Sequence, residues 1–216
     1  MALSQIIIEL LEGLAVSVRI FLITLLFSLP LGLVIAFGRM SKNNIISSIT
    51  KIYISIMRGT PLMLQLFVVY YGPYYLFNIK LSPTYRHSAV YIGFIINYAA
   101  YFAEIYRSGI QSMPVGQYEA AALLGYSKFQ TFVRIILPQV IKRILPSVTN
   151  EVITLVKDTS LAFSISVMEM FTKAKALSSS QTSMTPLIVA GLFYYVFNFV
   201  VAFLMDKAEK KLDYYK

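Results

Sequence analysis

Polar and acidic side chains recur at helical spacing within one apolar stretch in the second half of the chain. They are Ser147, Asn150, Glu151, Thr154 and Asp158. Steps of three and four residues place them on one helix face. Because such groups are costly in hydrocarbon, they usually face a bundle interior or a water-filled path. Two carboxylates on this face could hold an ammonium or guanidinium group by charge-assisted hydrogen bonds, so Asp158 and Glu151 are candidate substrate ligands.

Asp158 is predicted to lie deeper in the membrane than Glu151. At about 1.5 Å per residue, it lies about 18 Å from a helix start near Pro146, which is close to the middle of a bilayer. Glu151 lies about two turns nearer that start. The alternative is that the acids are neutralised within the protein. For Asp158 the partner would be its neighbour Lys157 or a basic residue of another helix, such as Arg58.

Two amides are further candidates for substrate binding near the middle of the membrane. Asn97 lies in the third apolar stretch and Gln65 in the second. Each could pair with a carboxylate or an ammonium group, and the alternative is an interhelical hydrogen bond. Residues 59–61, Gly-Thr-Pro, weaken the second stretch as a helix. A break there would expose backbone dipoles to charged substrate groups, whereas the alternative is a simple proline kink.

These residues belong to a membrane chain. Of its 216 residues, 57% are hydrophobic and 13% are charged, against about a quarter charged in soluble domains. Five stretches reach the roughly 20 helical residues that cross a bilayer. They are residues 14–38, 54–78, 88–108, 146–166 and 185–206. We expect helices because no alternating strand pattern occurs, and the fold class is an all-α integral membrane protein with residues 1–216 as one domain.

Basic residues cluster in the links after the first, third and fifth stretches. They are Arg39, Lys42 and Lys51, then Lys128, Arg134, Lys142 and Arg143, and finally Lys207, Lys210, Lys211 and Lys216. The positive-inside rule places these links in the cytoplasm, which puts the N-terminus outside and the C-terminus inside. The net charge of +9 therefore reflects membrane topology and does not indicate nucleic-acid binding. No cysteine is present, which excludes thiol chemistry and cysteine metal sites.

The N-terminal residues 1–13 contain two acids and no basic residue, unlike a cleavable signal peptide. They are expected to remain, either as a short interfacial helix or as an extension of the first span. Residues 111–145 form the long cytoplasmic link, with helices predicted over about 116–124 and 127–143. No phosphate-binding loop occurs in the chain, so any nucleotide hydrolysis must come from another protein.

The first of these link helices contains Glu119-Ala120-Ala121-Ala122-Leu123-Leu124-Gly125, followed after nine residues by Ile135-Ile136-Leu137-Pro138. This pattern resembles the signature loop of the membrane subunits of ABC importers. Four other segments resemble the polar amino-acid permease branch of that family: residues 58–61, 103–110, 116–117 and 157–161. The similarity runs from about residue 14 to residue 206. Gly125 can adopt the left-handed conformation that ends a helix.

The resemblance implies a type I ABC-importer permease in a prokaryotic inner membrane. Its coupling helix, with Glu119, Ala120, Ala121 and Gly125, would dock on a cytoplasmic ABC ATPase present in two copies. A second permease subunit, identical or related, and an external solute-binding protein would complete the transporter. ATP and magnesium would bind the ATPase, and no cofactor is expected in this chain. Glu104 and Arg107 match the family pattern and are predicted to form a local ion pair.

The predicted function is ATP-driven uptake of polar L-amino acids by alternating access. The two carboxylates favour the basic amino acids arginine, lysine and histidine, and neutral ones such as glutamine are the alternative. A cation channel or secondary carrier would use the acidic face as a cation relay, but the chain lacks the inverted repeats of many carriers. A membrane-embedded enzyme is disfavoured because the spans contain no metal cluster or Ser/His pair.

Overall fold

The computed structural model describes residues 2–82 and 84–212, and nearly all of them are helical. The α-helices are α1 (Leu3–Arg39), α2 (Asn44–Gly59), α3 (Leu62–Phe77), α4 (Tyr85–Gln111), α5 (Val115–Leu123), α6 (Lys128–Thr131), α7 (Leu137–Asp158), α8 (Met170–Gln181) and α9 (Thr185–Leu212). A π-helical turn precedes α7 and a 3₁₀ helix follows it. No strand occurs in the described residues, in agreement with the predicted all-α class. Lys216, from the last basic cluster, lies outside them.

The core of the bundle is the contact between α1 and α4. Small buried residues of α1, among them Ser28, Gly32 and Ala36, face α4 and let the two backbones approach. On α4, Phe94 and Phe102 are fully buried in the largest apolar cluster. Because α1 begins at Leu3, the N-terminal segment extends the first helix and is not a separate interfacial helix.

The second predicted span is not one helix, so the expected helix over 54–78 is wrong. Helix α2 starts earlier, at Asn44, and the axis turns by 110° between α2 and α3. Thr60 is extended at the break, with φ −123° and ψ 146°. Pro61 explains the break because proline has no N–H for the helix and disfavours helical geometry in the residue before it. A break, and not a simple kink, is therefore present.

The fourth predicted span has different bounds in the structure. Helix α7 runs without interruption through Pro146, where we predicted the boundary between the link and the span. That boundary followed a change in side-chain polarity, which need not interrupt backbone hydrogen bonding. Helix α7 ends at Asp158, and a 3₁₀ helix, Thr159–Ile165, occupies the rest of the predicted span. The chain then turns at Ser166, which has a left-handed φ of 59°.

Helix α8 lies in a segment that we predicted to be a link. Its Lys173 ammonium is 2.9 Å from a carboxylate oxygen of Glu9 and 2.6 Å from one of Glu12, both on α1. Burial lowers the pKa of Lys173, but the hydrogen bonds to Glu12 and Glu9 outweigh burial and raise it above its ordinary value. Because α8 is polar, it does not stand out among the apolar stretches of the sequence. The ion pairs fix α8 against the first turns of α1.

Three helices in the described residues are long and apolar enough to cross a membrane: α1, α4 and α9. The bent pair of α2 and α3 would be a fourth span if it crosses as one unit. Helix α7 has 22 residues but carries the polar face. Five spans therefore remain a prediction from the sequence.

Candidate functional site

A pocket of about 330 Å³ lies where the break between α2 and α3 meets α4 and α7. It is lined by Thr60, Pro61, Leu62, Asn97, Tyr98, Tyr101, Glu151, Thr154, Asp158 and Leu161. Small-molecule sites commonly have volumes from about 300 Å³ upward, lined by apolar and aromatic side chains with a few polar groups. The pocket has this composition. It brings three of the four predicted ligands together, because Gln65 is not among the lining residues.

Asp158 is held at the pocket by an aromatic residue of α4. The Tyr98 hydroxyl donates a hydrogen bond of 2.7 Å to Oδ2 of Asp158. Within the described ranges, no ion pair of 4.0 Å or less includes Asp158 or Glu151. The predicted neutralisation of Asp158 by Lys157 or Arg58 is therefore not present as a direct ion pair.

Gln65 and Asn97 form a brace across the helix break. Pro61 has no N–H to offer the carbonyl of Met57, four residues earlier. Gln65 Nε2 donates to that carbonyl at 2.9 Å and Asn97 Nδ2 at 3.1 Å. Asn97 Nδ2 also donates to Gln65 Oε1 at 3.0 Å, and Gln65 Nε2 to the Thr60 hydroxyl at 2.8 Å. The interhelical hydrogen bond given above as the alternative is thus present, and substrate contact by either amide remains a prediction.

A second pocket of about 460 Å³ continues from the first and shares Tyr101 and Glu151 with it. It is lined by Arg58, Tyr101, Glu104, Ile105, Ser108, Gly109, Ser112, Arg143, Ile144, Ser147 and Glu151. The Arg58 guanidinium carbon lies 5.4 Å from the centre of the Tyr101 ring, at the junction of the two pockets. A polar groove therefore follows α7 from Asp158 toward Ser147.

Beside the second pocket, near the C-terminal end of α4, Arg107 Nε donates to Glu104 Oε1 at 2.9 Å. The local ion pair predicted for these two residues is confirmed. It spans three residues within one helix, so its energetic contribution is small and its effect is to fix two side chains next to the second pocket.

The coupling segment has the local structure predicted for it. Helix α5 ends at Leu123, and Gly125 follows with a left-handed φ of 78°. The Gly125 N–H donates to the Ala122 carbonyl and the Tyr126 N–H to the Ala121 carbonyl, both at 3.0 Å. This pair of bonds is the Schellman ending of a helix. Ala121 is buried beneath the turn, whereas Glu119 and Ala120 are exposed.

An apolar tip projects from this segment. Leu123, Leu124 and Phe129 are 90%, 75% and 76% exposed. Gln117 of α5 and Gln139 of α7 exchange two amide hydrogen bonds of 2.8 Å, which fix α5 on α7. Such an apolar tip, fixed on α7, is suited to bind a groove on another protein.

The chain matches the family model described as "Binding-protein-dependent transport system inner membrane component" over residues 28–214. The chain belongs to this family. It is 36% identical over 202 residues to a putative glutamine transport system permease protein, GlnP, of Rickettsia bellii, covering 93% of this chain and 91% of the relative. It is 39% identical over 206 residues to the L-cystine transport system permease protein TcyL of Bacillus subtilis, covering 92% and 85%.

Among solved structures, the permease is similar to a crystal structure of an amino acid ABC transporter with histidines. The TM-score is 0.85 at 30% identity, with 94% of both chains covered. The predicted resemblance to membrane subunits of polar amino-acid ABC importers and the type I permease fold are confirmed. These relatives are transport-system permeases, which disfavours the cation channel and the secondary carrier.

Several residues of this permease that shape the site were missed from the sequence. Tyr98 adjoins the candidate Asn97 but belongs to a run of buried aromatic residues, so nothing in its spacing distinguished it. Leu123 and Leu124 lie within the quoted coupling pattern, and their exposure became evident only in the fold. Glu169 lies in the segment predicted as a link and is completely buried.

Proposed function

We propose that this permease subunit carries polar L-amino acids, with a preference for the basic ones, and that the pocket between α3, α4 and α7 is its substrate site. One observation carries the proposal. Asp158 and Glu151 line one pocket, and neither has a cationic partner within 4.0 Å in the described residues. A buried or half-buried carboxylate without a cation is costly, and a substrate cation would compensate this cost.

The pocket offers separate groups for the two ends of a basic amino acid. The side-chain ammonium or guanidinium would meet Asp158 and Glu151. The α-carboxylate would meet the start of α3, where Leu62 lines the pocket and Pro61 provides no side-chain cap for the first N–H groups. Helix N-termini bind anions because these N–H groups and the helix dipole favour negative charge.

Transport would be driven by a partner ATPase, with ATP and magnesium bound on that partner and no cofactor on this chain. The apolar tip of Leu123, Leu124 and Phe129, together with Glu119 and Ala120, would dock into a groove of each of two ATPase copies. Closure of the ATPases would move α5 and, through the Gln117–Gln139 amide pair, α7. The polar face of α7 would then alternate between the two sides of the membrane.

A second permease subunit, identical or related, would cover the open side of the groove. Ser147, Asn150 and Thr154 of α7 are exposed, which suits a face completed by a partner or by water. An external solute-binding protein would deliver the substrate. In this arrangement the N-terminus lies outside and the C-terminus in the cytoplasm of a prokaryotic inner membrane, in accord with the basic links.

Neutral polar amino acids such as glutamine are the second candidate, since one of the relatives is described as a glutamine permease. ATP-dependent uptake of labelled arginine into proteoliposomes that contain the complete transporter distinguishes the two, with lysine, histidine and glutamine as competitors. Stronger competition by the basic amino acids than by glutamine would support the basic preference. Competition by glutamine without arginine uptake would refute the basic preference. Both carboxylates would then have a structural role.

A further inference from the structure

One buried carboxylate does not line the pocket and is not used by the proposed transport path. Glu169 is 0% exposed and caps the N-terminus of α8. Its Oε2 accepts the Phe171 N–H, and its Oε1 accepts the N–H and the hydroxyl of Thr172, each at 2.7 Å. Burial raises the pKa of Glu169, and the hydrogen bonds from Thr172, Phe171 and Tyr194 oppose this shift.

The same carboxylate joins three helices. The Tyr194 hydroxyl of α9 donates to Glu169 Oε2 at 3.0 Å, and the Ser17 hydroxyl of α1 lies 3.5 Å from it. Gly13 brings α1 close to this point, because a Cβ there would lie only 2.7 Å from Cα of Met170. Helices α1, α8 and α9 therefore meet at one buried acid.

This junction is connected to the end of α7 through Tyr194. The Tyr194 side chain packs on the apolar cluster that contains Val156 of α7 and Ala162 of the 3₁₀ helix. Thr159 is completely buried and directly follows Asp158 in the chain. On the pocket side, Asp158 accepts the Tyr98 hydroxyl at 2.7 Å. The end of α7 thus contacts Tyr98 at the pocket and, outside the pocket, packs near Tyr194, which binds Glu169.

The segment after α7 is a 3₁₀ helix, Thr159–Ile165, whose hydrogen bonds have poorer geometry than those of an α-helix. Side-chain contacts are therefore needed to fix its position. The position of Asp158 then depends on contacts of the segment that follows it. Arg86 Nη1 donates to the Ser166 carbonyl at 3.2 Å and holds the far end of this segment. Tyr194 packs on the apolar side chains around the end of α7, and Glu169 caps the start of α8.

We propose that Glu169 and Tyr194 are positioning residues for Asp158 and thereby set the affinity of the permease for its substrate. The inference rests on the proposed function, in which Asp158 binds the substrate cation. A ligand displaced by a fraction of an ångström loses much of a charge-assisted hydrogen bond, because such bonds depend steeply on distance and angle. Loss of the Tyr194 hydroxyl should therefore weaken substrate binding although Tyr194 does not line the pocket.

The test compares Tyr194→Phe with the matched control Tyr195→Phe, whose side chain is 69% exposed on the same helix. Both are assayed in the complete transporter in proteoliposomes for ATP-dependent arginine uptake. Tyr194→Phe is expected to raise KM by about three- to tenfold, the range of a single hydrogen bond, with kcat changed less than about twofold. Tyr195→Phe should leave both constants unchanged.

A double-mutant cycle with Asp158→Asn separates positioning from general destabilisation. If Tyr194 acts through Asp158, its substitution should have little further effect on KM in the Asp158→Asn background. A reduced yield or kcat with an unchanged KM would overturn the proposal, as would effects on KM that add fully. Glu169→Gln provides a second variant, in which an amide keeps one acceptor and loses the charge, and its KM should rise in the same direction.

The cycle also distinguishes the two proposals. An unchanged KM in Asp158→Asn would overturn the substrate site itself, and the positioning role with it. A raised KM in Asp158→Asn together with an unchanged KM in Tyr194→Phe would overturn the positioning role alone.

Discussion

Replacing Asp158 by asparagine should weaken uptake of basic amino acids far more than uptake of neutral ones. The substitution keeps the size of the side chain and an oxygen that can accept the Tyr98 hydroxyl, which donates at 2.7 Å in the structure. What it removes is the negative charge at the end of α7. A hydrogen bond to a charged group contributes about 1.5–3 kcal/mol, so KM for arginine should rise about 10- to 150-fold.

The assay is ATP-dependent uptake into proteoliposomes, with arginine and glutamine as separate labelled substrates. KM for glutamine should rise by less than about threefold, because a neutral side chain makes no ion pair with Asp158. Asp206→Asn is the matched control, since Asp206 lies on α9 and pairs with Lys210 away from this pocket. Thermal unfolding of each variant in detergent verifies that the fold is retained.

Two results would refute the reasoning. Equal increases in KM for arginine and glutamine would mean that Asp158 acts on the shape of the pocket and not on the substrate charge. Failure of Asp158→Asn to assemble, with normal assembly of Asp206→Asn, would mean that the charge of Asp158 is required by the fold itself.

Three further substitutions test the helix break and the coupling segment. Gln65→Leu removes the donor to the Met57 carbonyl and to the Thr60 hydroxyl. It should lower the free energy of unfolding by about 1–3 kcal/mol. An unchanged thermal midpoint would contradict the idea that these bonds stabilise the helix break. Leu123→Asp places a charge on a side chain that is 90% exposed, so folding should be unaffected while co-purification of the ATPase is lost. Gly125→Val forces a β-branched residue to a φ of 78°, which should cost about 1–2 kcal/mol and disorder the end of α5; normal ATPase coupling in this variant would count against the role of that turn.

Features encoded over a few neighbouring residues could be predicted from the sequence. The polar face of α7 follows from side chains three and four residues apart, since the helical period is fixed by the backbone. The left-handed turn at Gly125 and the weak point at Pro61 follow from the conformational range of single residues. The membrane environment follows from composition, and the family from the coupling pattern. These features are local or additive, so they require no knowledge of which helices meet.

Features that join distant parts of the chain were decided by the tertiary structure. Tyr98 and Asp158 are 60 residues apart, and Ser17 and Glu169 are 152 apart. No spacing rule pairs such residues, because their contact depends on the direction and packing of whole helices. The 110° turn between α2 and α3 is likewise a tertiary result: Pro61 determines where the helix breaks, whereas packing against α4 determines how far the axis turns. The sequence by itself therefore determined the membrane class, the acidic face and the coupling turn. Packing decided that the face opens into a pocket and which side chains hold Asp158 there.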